Sequence, residues 1–284
     1  MARSPEEEGL SVPSSLLEDR PRHVVDTQAH EPAAPAHRAL SPQDYRTLLA
    51  TLAHDLKNPL TRIRARAQLL GRRAGRPEPL DREQLAEGLA QIEAAATRVA
   101  MLLDEVVELS ATDGAPLRLA RQPADLVALA RYFAEQYQQA TDRHRLRVET
   151  PAREVVGRWD RVRVERIVSN LLSNAVKYSP EGGDVLVSVW DELDRQDSRR
   201  WAVLRVRDGG LGIPPADLPH VFEELYRGRN VVGWVSGTGL GLAAVRRMVA
   251  EHGGTISVES EERSGSTFVV RLPLDPSGTH AASS

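Results

Sequence analysis

At 284 residues the chain is long enough for two ordinary domains, and its 41% hydrophobic and 27% charged residues are the composition of a globular protein. A net charge of -3 offers no general basic surface for nucleic acid, and the absence of cysteine excludes disulfides and thiolate metal or redox sites. No apolar run approaches the ~18–20 residues of a membrane span, and the acidic start with Glu6, Glu7 and Glu8 lacks the layout of a signal peptide, so the chain reads as soluble and cytoplasmic.

Residues 1–40 are rich in Pro, Ala, Glu and His without a sustained period, which predicts a disordered tail. Ser41 or Asp44 can cap a helix starting near Tyr45, in which Leu49, Leu52, Leu56, Ile63, Ala67 and Leu70 form one apolar stripe. Gly71, Gly75, Pro77 and Pro79 are expected to break it. A second helix follows, with Leu85, Leu89, Ile92, Ala96, Val99, Leu103 and Val106 spaced as the seam of a coiled coil or bundle. Two such helices cannot close a core alone, so the hairpin over 41–113 is expected to pair with a second copy as a dimeric four-helix bundle.

Beyond Asp113 and Gly114 the texture changes. Short strands are predicted at 117–119 and 145–149, and helices at 124–139 and 160–178. Strands at 184–190 and 201–206 precede a Gly/Pro-rich loop, a helix over 217–225, a second loop, and a helix over 240–252. A hairpin of strands at 255–260 and 267–272 closes the unit, leaving 276–284 as a tail. Strands mixed with helices and few tidy βαβ repeats predict an α+β two-layer sandwich over 114–275.

His54 lies two residues from both Leu52 and Leu56, so at about 100° per residue it points away from their stripe. Asp55 follows it and Asn58 lies one turn on. An imidazole attacks through one ring nitrogen while the other carries a proton, and a carboxylate that takes that proton makes it a better nucleophile. Read alone, the segment also fits a surface histidine with a solvated acid neighbour. Pro59 removes a helical donor and predicts a bend just beyond His54. Asn170, Asn174 and Lys177 share one helix face opposite Ile167, Leu171 and Leu172. Two amides and an ammonium suit a magnesium-bound triphosphate, although a solvated face would look similar. Asp208, Gly209, Gly210, Leu211, Gly212 and Ile213 follow a strand, where a carboxylate can accept from an amino group of a flat ligand, or simply open a turn. Gly237, Thr238, Gly239, Leu240, Gly241 and Leu242 turn a loop into a helix, whose free N–H groups favour an anion.

Together these segments resemble the sensor histidine kinases of two-component systems. The run from Leu52 to Leu60 is similar to the family's phosphoacceptor box, which makes His54 the phosphorylated residue, Asp55 its general base and Asn58 the position that orients water for dephosphorylating the partner regulator. The run from Arg166 to Tyr178 resembles the N box, implying ATP held with Mg²⁺ on Asn174 and Asn170, with Lys177 on phosphate and Tyr178 beside the nucleotide. Asp208, Gly210, Gly212 and Ile213 match the first glycine box, where the aspartate reads adenine; Gly209 departs from the small polar residue usual there. Phe222 and Arg227 match the phenylalanine box, as lid anchor and phosphate contact, and Gly237 to Leu242 match the second glycine box around the triphosphate. Residues 227–236 would form a lid, apolar through Val231, Val232, Trp234 and Val235. The resemblance implies a GHKL (Bergerat-type) ATPase fold after the hairpin, a homodimer, a response-regulator receiver domain as partner, and a hinge near 111–116. The ATP-binding half alone would also fit chaperone, topoisomerase and mismatch-repair ATPases or an anti-sigma serine kinase, but these lack a histidine box on a preceding hairpin. A different class, a scaffold that binds nucleotide without phosphotransfer, stays open at this point.

Overall fold

The computed structural model describes residues 24–26, 42–74, 81–110, 119–194, 198–231, 235 and 237–274. Helix α1 (Pro42–Ala74) and helix α2 (Arg82–Ser110) pack on each other as the predicted hairpin. Pro42 opens α1, where a missing N–H costs nothing. Gly71 does not break α1, which runs on to Ala74; Gly75, Pro77 and Pro79 lie outside the described residues. The helix also runs through Pro59. Gly88 is the point of close approach: a Cβ there would sit 3.0 Å from the Leu70 side chain, so the missing methyl lets the helices close.

The second unit begins with strand β2 (Arg121–Asp125), later than the strand expected at 117–119, of which 117 and 118 lie outside the described residues. Asp125 ends β2 and caps helix α3 (Leu126–Gln139) by accepting from Val127 N at 3.0 Å. Strand β3 (His144–Glu149) follows, then strand β4 (Val156–Asp160), which pairs with β2 in a small antiparallel sheet. Sequence reasoning missed β4. Its anchor is Trp159, fully buried, which lies against Gly157 and donates from Nε1 to Pro273 O at 2.8 Å. Asp160 then caps helix α4 (Arg161–Lys177).

Strands β5 (Gly183–Leu193) and β6 (Arg200–Asp208), helix α5 (Gly241–Glu251), and strands β7 (Thr255–Glu261) and β8 (Gly265–Pro273) complete the unit. The helix expected over 217–225 is only a 3-10 turn, Leu218–His220, followed by turns. The turns there close three residues back, His220 N on Asp217 O at 3.0 Å and Glu223 N on His220 O at 2.9 Å, and Leu225 leaves the helical region at φ 64°. The main sheet runs β1-β7-β8-β6-β5-β3, with β1 at Val24–Asp26, and is antiparallel except for β3 with β5. Strand β1 (Val24–Asp26) is a correction to the expected tail: it pairs antiparallel with the edge strand β7, Val25 opposite Val258.

One face of the sheet carries α3, α4 and α5. Val187, Val189, Leu204, Val206, Val258 and Val270 meet Val127, Ile167, Leu171, Val245 and Met248 there, forming the two-layer α+β sandwich. Each large apolar side chain taken out of water stabilises the fold by ~1.5–3 kcal/mol. On the other face, the Arg205 guanidinium stacks over Trp190 at 5.1 Å and Arg271 over Trp201 at 5.3 Å, which keeps both indoles from water without a second helical layer.

Candidate functional site

Helix α4 ends in the half-buried Asn170, Asn174 and Lys177, with its apolar face, Ile167, Leu171 and Leu172, sunk in the core. The same helix therefore fixes three polar side chains on its opposite face. Tyr178 caps α4 through its N–H to Asn174 O at 2.9 Å, and the Lys177 ammonium lies 5.0 Å from the Tyr178 ring centre.

The first glycine loop is tied to that cap. Leu211 N donates to Tyr178 O at 2.9 Å, and a Cβ on Gly210 would lie 2.2 Å from that same oxygen, so only glycine fits. Gly212, at φ 62°, passes within 2.0 Å (Cβ position) of Glu261 O. Ile213 N donates to Ser260 Oγ at 2.9 Å, and that hydroxyl donates on to Gly265 O at 2.8 Å. Asp208 sits beneath the loop with 6% exposure. Burial pushes its carboxyl up to about 6, against the pull of N–H donors from Gly210 and Ser266. A carboxylate held this way gains from any further donor a ligand brings.

The second glycine run closes the other side. A Cβ on Gly237 would lie 2.3 Å from Lys177 Nζ, and one on Gly241 would lie 3.6 Å from Asn170 Oδ1. The run thus lies directly on the polar face of α4. Gly239, at φ 76°, accepts from Leu225 N at 3.1 Å, and Thr238 Oγ1 accepts from Leu240 N at 3.3 Å. Helix α5 starts at Gly241 with no side-chain cap, so its first N–H groups face the same space. Leu240 is buried and Leu242 packs on the core, which fixes where that helix begins.

Phe222 is 5% exposed and belongs to the core. Arg227 is turned to the lid itself: its Nη2 donates to Val235 O and, at 3.5 Å, to Val231 O. Val232, Trp234 and Ser236 of the lid, and the expected hinge at 111–116, lie outside the described residues. So do the side chains of His54 and Asp55, whose backbone is in α1; Asn58 is exposed one turn on, and Pro59 beside it is buried.

Sequence reasoning did not single out Ser260, Ser266, Asp217 or Asn230. Ser260 had a signal, since it takes the inward register of Ile256 and Val258 and so had to be a hydrogen-bonded polar group in a core position. Asn230 Nδ2 donates to Gly212 O at 3.0 Å, a contact across 18 residues that no local pattern carries.

A profile of the His Kinase A (phospho-acceptor) domain matches residues 44–114, and a profile of histidine kinase-, DNA gyrase B- and HSP90-like ATPases matches residues 159–276. The chain belongs to the sensor histidine kinases. Similar kinases include the sensor histidine kinase WalK of Bacillus subtilis, 29% identical over 233 residues, covering 81% of this chain and 37% of WalK. The histidine-protein kinase/phosphatase MprB of Mycobacterium avium is 33% identical over 243 residues (81% and 44%), and the sensor-like histidine kinase SenX3 of Mycobacterium tuberculosis is 30% identical over 271 residues (93% and 62%). The chain therefore spans from about a third to three-fifths of the length of these relatives. Among solved structures, full-length ShkA in complex with AMPPNP is 26% identical with a TM-score of 0.50, covering 80% of this chain and 45% of ShkA. The histidine kinase ThkA, solved with the response regulator protein TrrA, shares the fold at 22% identity and a TM-score of 0.50, covering 81% of this chain and 62% of ThkA. No helix among the described residues of this kinase is long and apolar enough to cross a membrane.

Proposed function

We propose that this kinase moves the γ-phosphoryl group of ATP onto His54 and then onto an aspartate of a response-regulator receiver domain. The observation that carries the reading is the meeting of Lys177 and Asn170 with Gly237 and Gly241 at the open start of α5. Cation, amide and the uncapped N–H groups of α5 face one space there. A triphosphate is the ligand such a space favours. Asp208, at the other end of the first glycine loop, would accept from the amino group of adenine. Asn174 and Asn170 would hold the Mg²⁺ that accompanies the nucleotide, which would supply neutralisation of phosphate charge. The complex of ShkA with AMPPNP supports the same use of the fold.

The transfer itself is mainly positioning and charge neutralisation. A ring nitrogen of His54 attacks the γ-phosphorus, the N–P bond forms, the bond to the β-phosphate oxygen breaks, and ADP leaves. Asp55 takes the ring proton. In the second step the N–P bond breaks as an aspartate oxygen of the regulator takes the phosphoryl group, and Asp55 returns the proton to the ring, restoring His54. Asn58, exposed one turn below, would orient the water that later removes phosphate from that partner. Residues 41–113 act as dimerisation and phosphotransfer hairpin and 114–275 as ATP-binding domain, in a cytoplasmic homodimer. Exposure of Leu85 and Leu89, which lie on the expected seam, in the single chain supports a dimer.

Incubation with γ-labelled ATP and Mg²⁺ tests the reading. Label that survives alkali and is lost in acid is the expected result. Tight ATP binding without label would replace it with a nucleotide-binding regulator.

A further inference from the structure

Asp217 has no part in the site as described, yet its side chain is fully buried at 0% exposure. Both oxygens are used. Oδ1 accepts from the Tyr226 hydroxyl at 2.9 Å and Oδ2 from Arg229 N at 2.9 Å. Arg229 Nε lies 3.6 Å from Oδ1, although 83% of that side chain is exposed. The chain between them turns tightly over the carboxylate, since a Cβ on Gly228 would lie 3.2 Å from Oδ2. Tyr226 also leans on His220, ring centres 5.3 Å apart. A carboxyl group taken out of water must find donors, and these donors all come from residues 226–229, the start of the lid, rather than from the sheet or the helices beneath.

We infer that Asp217 is the positioning residue of the nucleotide lid. By holding Tyr226 and the backbone of Arg229 it fixes Arg227 between them, and Arg227 in turn donates to Val231 O and Val235 O farther along the lid. It also fixes Asn230, whose amide reaches Gly212 O in the adenine-side loop, while Val231 N closes a turn onto Gly228 O at 3.1 Å. The first half of the lid is thus pinned from below by one carboxylate and from the side by one amide. This inference rests on the reading of the glycine runs as an ATP site.

Three variants in the full chain test it. Asp217→Asn keeps the size but turns an amide NH₂ toward a donor. Tyr226→Phe removes a single hydroxyl. Arg229→Ala removes the exposed ion pair and keeps the backbone N–H. Two readouts apply: KM for ATP against kcat of autophosphorylation, and trypsin cutting after Arg227 and Arg229 without nucleotide. Asp217→Asn is expected to raise KM by about tenfold and to speed both cuts, with Tyr226→Phe moving both readouts the same way by less. For Arg229→Ala, KM is expected to stay within about twofold, because an exposed pair contributes little, and the cut after Arg227 is expected to stay at its native rate. Trypsin reads the anchor even in a chain that takes up no ATP. Failure of the native protein to bind ATP would sink the site reading alone. Native cutting rates or native KM in both Asp217→Asn and Tyr226→Phe would sink the anchor alone. Should Asp217→Asn not fold, Tyr226→Phe decides by the same two readouts.

Discussion

The hairpin and the ATP-binding unit solve the burial problem in opposite ways. In the second unit, three helices and a sheet close on Trp159, Leu171, Leu204 and Ile256, each nearly or fully removed from water. Among the described side chains of the hairpin, Leu60 is 52% exposed, Leu69 40%, Leu85 39% and Leu89 53%. The one unit closes its core, and the other leaves these leucines open to water. That difference fits the proposed roles, in which the closed unit would hold the nucleotide in fixed geometry and the hairpin would offer its surface to a second copy and a regulator, with His54 as the proposed phosphoacceptor.

The largest effect expected from separating the two is all-or-none. His54→Gln should abolish phosphorylation while ATP binding, measured by calorimetry, stays at the native level, because the substitution touches only the hairpin. Loss of ATP binding in that variant would mean that the two units do not divide the work.

Asp208 sharpens the other side of the comparison. Its carboxyl is pushed up to about 6 by burial, and a nucleotide amino group favours the ionised form. ATP affinity should therefore fall as pH drops through 6, about tenfold by pH 5. Asp208→Asn should weaken binding at pH 7 and flatten this dependence, leaving the hairpin untouched. In the empty domain the sign is reversed: a raised carboxyl pKa gives stability that is present below the ordinary value of 3.8 and lost as pH rises through about 6. An affinity constant across pH 5–7 would remove adenine from Asp208.

Leu89→Glu asks whether the hairpin needs its partner. A leucine buried between copies contributes ~1.5–3 kcal/mol, so sedimentation should show dissociation at least about tenfold easier, with native ATP binding. An unchanged dimer would place the interface elsewhere.

The smallest effect concerns the frame of the ATP-binding unit. Burial lowers the pKa of His252; its Nδ1–H donates to Met248 O at 2.7 Å and its Nε2 accepts from Asp160 N at 3.0 Å. It joins the end of α5 to the start of α4 as a neutral ring. Its contribution is present above pH 6.5 and is lost as pH falls toward the lower folded value. Thermal unfolding should show that acid loss in the native chain and little of it in His252→Gln.

What could be read from the residues follows the same division. Helices α3, α4 and α5 were legible because apolar periodicity and side chains such as Asp125 and Asp160 mark them locally. The polar face of α4 and both glycine runs were legible for the same reason, each lying in one short segment. Strand β4 was not, because its value lies in Trp159 reaching Pro273, 114 residues away. The helix expected at 217–225 failed because no local pattern marks the left-handed Leu225 at φ 64°, and the tight turns there serve Asp217 instead. Strand β1 was hidden by a tail composition that gives no period until β7 offers an edge.

The most direct test of the division of labour is to find the phosphoryl group. After incubation with Mg²⁺ and ATP, trypsin at neutral or alkaline pH should release residues 47–57 as one peptide containing His54. The account predicts the added phosphoryl group on that peptide, on the histidine, and its disappearance in acid. A phosphoryl group on any peptide of residues 119–274, with none on 47–57, would contradict it.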